Sequence, residues 1–256
     1  LFQDSIATYI KNNDPYKHPI ISSDGTTDDA LWPHKEWMDM AIVHTCTGNQ
    51  PDYDLENWYL NIARNIRQYG KPAFNNESGR EKRHKNDDPI QRRKQGWLFS
   101  NAGCFWTWHS WDGCEGINDT TYVADGWQYL KPMKSYYESI PFWKLEPNYT
   151  VCILKESDLI FSTMSSPERD VSVMYCCTKQ THQVVENEKV YLRIKNGLYK
   201  LRFIKPENLE LIAQTEFVSE GLKNQYEIKL PTFMDDLIIE IIVKRVNEKT
   251  LIEGTL

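Results

Sequence analysis

KPAFNNE, from Lys71 to Glu77, sets an apolar run of Pro72, Ala73 and Phe74 behind a polar tip of Asn75, Asn76 and Glu77. Gly70 precedes it, and Ser78 and Gly79 follow. Turn formers on both sides of a run too short for a helix make it a short buried strand with a polar C-terminal end. Three other stretches share this form: PIISS (Pro19 to Ser23), DMAIVHT (Asp39 to Thr45) and GCFWTWH (Gly103 to His109). Helical periodicity fills the intervals. It covers Leu1 to Asn13, Asp28 to Trp37 with Asp28 or Asp29 as cap, Leu55 to Tyr69 stopped at Gly70, Pro89 to Asn101, and Gly126 to Ser139. Short apolar strands alternating with helices indicate a parallel sheet buried on both faces.

Outward from this segment the composition changes. All nine tryptophans precede residue 148. Beyond them, NYTVCILK, LIFSTM, DVSVMYCCT, KVYLRIK, GLYKLRFIK, QYEIKLP and DLIIEIIVKRV follow one another with turn residues between, which predicts an antiparallel β-sandwich of about seven strands. Two domains follow, 1–147 of class α/β and 148–256 all-β, joined across PFWKLEPNYTV, where prolines end a helix and start an extended run. The second domain has no cluster of aromatic, histidine or paired acidic residues and reads as an accessory module.

Composition removes several classes of function. The net charge is −6, and no basic stripe is long enough to track phosphates, which argues against nucleic acid. No apolar run reaches the roughly 18 to 20 residues that cross a bilayer. The six cysteines show neither CxxC nor histidine spacing for zinc, so buried free thiols are expected, with Cys104 and Cys114, ten residues apart across a loop, the one tempting pair for a bridge. No metal or cofactor is expected. No glycine-rich loop follows any strand, which counts against an open nucleotide-binding domain. The chain starts at Leu1 without an initiator methionine, so a removed start is expected.

Four strand–helix units after a lone helix match the second half of a (β/α)₈ barrel, and an open doubly wound sheet gives the same alternation. Polar residues gather at the strand ends in SSDG, VHT, NNES and WTWHSWDG, where both folds place their sites. Four blocks then occur in order: NDPYKHPII after a helix, YGKPAFNNES on a strand, GCFWTWHSWDG on the next, and YLKPMKSYYESIPFWKLEPN leading into the β domain. Together they resemble the apiosidase-like glycoside hydrolases, clan A barrel enzymes that often carry a C-terminal domain named for collagen binding.

The resemblance spans almost the whole chain. It implies the C-terminal half of a (β/α)₈ barrel, strands five to eight, followed by the sandwich. It also implies hydrolysis of polysaccharide or oligosaccharide side chains, by a retaining mechanism, outside the cytoplasm. In such barrels an acid/base carboxylate ends strand four and a nucleophilic glutamate ends strand seven. KPAFNNE then becomes strand seven and Glu77 the nucleophile, with the acid/base and the N-terminal half of the barrel absent from this chain, which alone is expected to be inactive. Glycosidic cleavage of the retaining type needs two carboxylates about 5 to 5.5 Å apart, which agrees with a glutamate at a barrel mouth.

Around Glu77 the substrate-binding candidates are Trp106, Trp108 and Trp111, whose rings would stack on a sugar face, and His44, His109 and Asp112, which would bond its hydroxyls. Trp106 and Trp108 alternate onto one side of a strand, and core filling is the competing account of each. Glu115 is a further hydroxyl contact, and Asp24 in SSDG is explained by a turn. REKRHK (Arg80 to Lys85) with Arg92, Arg93 and Lys94 reads as a solvated loop and helix face or as a cradle for an acidic sugar. The alternative to the enzyme is a non-catalytic carbohydrate-binding or surface-anchoring protein.

Overall fold

The computed structural model describes residues 2–22, 29–45, 56–77, 88–108, 126–154, 157–220 and 225–244, in two compact units, Leu1–Trp127 and Gln128–Leu256. The first unit runs α1 (Phe2–Asn13), β1 (Ala41–Val43), a π-helical segment Glu56–Asn61 leading into α2 (Ile62–Arg67), β2 (Ala73–Asn75), α3 (Pro89–Asn101) and β3 (Phe105–Trp106). The three strands form one parallel sheet in the order β1-β2-β3. Its register pairs Val43 with Asn75 and Asn75 with Trp106.

Local chemistry sets these limits. Asp88 caps α3, its carboxylate accepting from the Ile90 amide at 2.9 Å, and Pro89 opens the helix where no donor is lost. α2 and its following turn stop at Gly70, whose φ of 66° is the left-handed value that glycine takes at little cost. The core is built from Ala41, Ile42 and Val43 of β1, Ile62, Ala63 and Ile66 of α2, Ala73 of β2, and Trp97, Leu98 and Phe99 of α3, all buried.

Two expected elements do not form. Residues Pro19 to Ser22 carry no strand: Asp39 fastens Ile20 twice, its carboxylate accepting from the Ile20 amide at 2.6 Å and its own amide donating to the Ile20 carbonyl at 2.9 Å. A clasp by one residue replaces a ladder. Residues 29–37 form successive turns where a helix was expected, because Pro33 lacks an amide and restricts Trp32, which takes φ 46°. The solvated face expected at Arg92, Arg93 and Lys94 is also absent; all three are buried in α3.

The second unit contains α4 (Leu130–Ser139) followed only by strands: β4 (Glu146–Pro147), β5 (Cys152–Leu154), β6 (Ile160–Ser165), β7 (Val171–Cys177), β8 (Val184–Val185), β9 (Lys189–Leu192), β10 (Gly197–Ile204), β11 (Leu211–Ser219), β12 (Tyr226–Lys229), β13 (Phe233–Met234) and β14 (Asp236–Lys244). Among the described residues they form a six-stranded sheet β11-β10-β14-β7-β6-β4, a three-stranded sheet β12-β9-β5 and the pair β13-β8, all antiparallel. One apolar core joins the two larger sheets. Met174, Cys176, Leu201, Phe203, Ile239 and Ile241 come from the first and Cys152, Val190 and Leu192 from the second.

α4 falls in the compact unit of the strands, which begins at Gln128. Tyr136 of α4 is buried with its phenol beside Glu240 of β14, which also holds Arg202 at 2.6 Å. Burial, then the Glu240 charge, pushes the Tyr136 hydroxyl well above its ordinary range.

Candidate active site

Hydrogen bonds carry the alignment of the parallel strands past their ends. The Asn76 amide donates to the Val43 carbonyl at 3.1 Å, and the Thr107 amide to the Asn75 carbonyl at 3.0 Å. His44 and Thr45 after β1, Asn76 and Glu77 after β2, and Thr107 and Trp108 after β3 therefore lie along the same C-terminal edge. Glu77 stands beyond the central strand. One of its carboxylate oxygens, Oε2, lies 3.1 Å from Nε2 of His44, with both side chains about one-fifth exposed. An imidazole N–H donating to a carboxylate fixes that oxygen in place while solvent still reaches the pair.

Asn75 underlies the pair and is fully buried. The amide orientation that satisfies all its neighbours has its oxygen accepting from the Thr45 hydroxyl at 2.8 Å. Its nitrogen then donates to the carbonyls of Glu77 at 3.2 Å and Val43 at 3.3 Å. One side chain thus ties the backbone of Glu77 to the end of β1, from which His44 projects. Thr45 is buried beside it. Neither Asn75 nor Thr45 stood out in the sequence; the signal was a polar residue inside the apolar part of a strand, a position that folding tolerates only with its bonds made.

Trp106 does different work from Glu77. A methyl placed on Gly96 of α3 would lie 2.2 Å from Cζ2 of the Trp106 indole, so this ring lies against the helix, in a space kept open by the glycine. That is the core-filling account of this tryptophan. β3 ends at Trp106, and Trp108, half-buried, follows at the same remove from Trp106 as Glu77 from Asn75. Trp111, His109, Asp112, Glu115 and Asp24 lie outside the described residues, as does the run from Arg80 to Lys85.

Cys104 sits behind the sheet, with its thiol donating to the Ala63 carbonyl at 3.5 Å. Burial pushes its pKa up to about 12, so it stays a neutral thiol and is no nucleophile. Cys104, Cys152, Cys176 and Cys177 are free and buried; Cys46 and Cys114 lie outside the described residues. Among the described residues no cluster of His, Cys, Asp or Glu is suited to a metal ion, and no helix is long and apolar enough to cross a membrane.

No protein-family model matches the sequence, and no curated protein matches it. Solved structures do match. A glycoside hydrolase superposes on 95% of this chain with a TM-score of 0.66 at 14% identity. A glycoside hydrolase family 5 protein from Bacteroides vulgatus superposes on 95% with a TM-score of 0.64, also at 14% identity. The chain has a glycoside hydrolase-like fold. It spans 61% of the first of those proteins and 60% of the second. At such identities the likeness concerns the backbone, and the chemistry has to be argued from the residues at the strand ends.

Proposed function

We propose that the first unit is the C-terminal half of a (β/α)₈ barrel, with β1, β2 and β3 as strands six, seven and eight, that the second is an accessory β-sandwich, and that the chain serves hydrolysis of glycosidic bonds in polysaccharide or oligosaccharide side chains. The observation that carries this reading is Glu77, held two residues beyond the central strand and bonded to His44 of the neighbouring strand. In this reading Glu77 attacks the anomeric carbon and the leaving alkoxide takes a proton from a second carboxylate. Water then releases the sugar from the glycosyl ester, with that second group now acting as base. His44 holds the nucleophile's oxygen, and Trp108 offers a face to the sugar.

The second carboxylate is proposed to lie in a stretch of barrel that this chain does not contain, and α1 supports that. Asp4, Ala7 and Lys11 turn toward the unit, Asp4 bonding Trp37 and Lys35, and Lys11 bonding Asp39, while Phe2, Ile6, Tyr9 and Ile10 are exposed on the opposite side. A helix with polar anchors inward and an apolar stripe outward fits one whose second neighbour is further protein.

The test uses the chain together with its barrel partner segment and a panel of 2,4-dinitrophenyl glycosides, whose leaving group needs no protonation. Glu77→Gln keeps the shape and removes the attacking charge, so turnover is expected to fall by several orders of magnitude while sugar binding persists. Near-normal turnover by Glu77→Gln would move the nucleophile elsewhere, with Asp112 and Glu115 the next residues to test. Sugar binding without turnover in the unmutated protein would favour the non-catalytic binding reading.

A further inference from the structure

β11 is the outer strand of the six-stranded sheet, nine residues long and, among the described residues, paired with β10 alone. On the outer side of such a strand every second residue presents an amide and a carbonyl without a ladder, a template for another strand. The other edges among the described residues are blunted. β4, at the far side of the same sheet, has two residues, one of them Pro147. In the three-stranded sheet, β5 has three residues, and β12 carries Glu227 and Lys229 among its four. β11 has no proline and a single charged residue, Glu216, which is bonded to Lys244 of its own sheet. Gln214, Thr215 and Glu216 are exposed, and so are Leu211 at 42% and Val218 at 56%.

The strand is complementary to itself. A two-fold axis through Thr215 sets Thr215 against Thr215, Gln214 against Glu216, Ala213 against Phe217 and Ile212 against Val218. Apolar then meets apolar, and an amide donates to a carboxylate on each side of the axis. An axis through Glu216 would set two carboxylates against each other. The bulge where the pairing steps from Phe203–Ala213 to Ile204–Leu211 ends the regular edge at Ala213, and the Thr215 axis uses Ala213 to Phe217 symmetrically. We propose that β11 is the contact strand of a symmetric dimer, in which two copies of this chain pair antiparallel through Thr215 and join their six-stranded sheets into one.

The charge pattern supplies the test. Gln214→Glu sets two carboxylates against each other on both sides of the axis, whereas Gln214→Lys makes two ion pairs there. Both substitutions fall on an exposed side chain and leave the fold intact, which far-UV circular dichroism and thermal melting verify. Sedimentation equilibrium of the full chain should give twice the chain mass. The dissociation constant is expected to rise at least about tenfold for Gln214→Glu and to fall for Gln214→Lys. Amide exchange at Ala213 to Phe217 should slow as protein concentration rises. A monomer at every concentration tested, or a dimer indifferent to both charges, would overturn the proposal.

Discussion

Asn75 has no direct part in the proposed chemistry, yet three groups depend on it. Asn75→Ala leaves the buried Thr45 hydroxyl and the Glu77 carbonyl without this partner and the Val43 carbonyl with the Asn76 amide alone. The expected cost is about 1–3 kcal/mol of unfolding free energy, measurable by urea denaturation, with Asn75→Ser recovering part of it. The positions of Glu77 and His44 beyond the strand ends were legible in the sequence because a polar residue after a short apolar strand in a parallel sheet has one place to go. Asn75 was not, because an asparagine at a strand tip reads as a turn former until its partners are known. Trp106 and Trp108 were not separable either. Period-two alternation assigns them one side, and only the contact with Gly96, from a helix earlier in the chain, distinguishes the ring that packs from the one beyond the strand.

At the scale of elements, α3 and β3 meet through that glycine. Gly96→Ala forces a methyl into a rigid indole, and since neither the helix backbone nor the ring can yield freely, a loss of about 1–3 kcal/mol is expected in thermal or urea melts. α1 depends on ionised side chains instead. The Trp37 indole N–H and then the Lys35 ammonium hold the Asp4 carboxyl at about 2, below its ordinary 3.8. Asp39, bonded by Lys11 and the Ile20 amide, is lowered as well. A carboxylate depressed in the folded state stabilises it above the unfolded value and loses that effect as pH falls through the folded one. α1 is therefore expected to detach between about pH 4 and pH 2, before the sheet opens, and amide exchange at Ile6 to Lys11 would record it. α1, by its periodicity, and α3, from Pro89 to Asn101, were legible in the sequence; the helix expected across Pro33 was not realised. β11 went unread because an edge strand faces solvent and its Gln-Thr-Glu centre breaks the apolar alternation that marks inner strands.

On the scale of the whole molecule, the chain separates where its contacts do. A fragment from Gln128 should melt higher than one from Asn148, because only the longer one keeps Tyr136 over Glu240 and Arg202; differential scanning calorimetry of the two would show it. The division also gives the units different chemical voices. Every tryptophan except Trp143 precedes Gln128, and Trp143 is so exposed that its emission is expected to change little on unfolding. Cys152, Cys176 and Cys177 lie fully buried in the second unit, with burial pushing the thiols of Cys152 and Cys176 far up. Once Cys46, Cys104 and Cys114 of the first unit are replaced by alanine, a thiol-reactive dye added during denaturation times the opening of the strands, while indole fluorescence times the opening of the parallel sheet. The protein carries its own pair of clocks, and any lag between them reads out, without a single introduced label site, which unit gives way first.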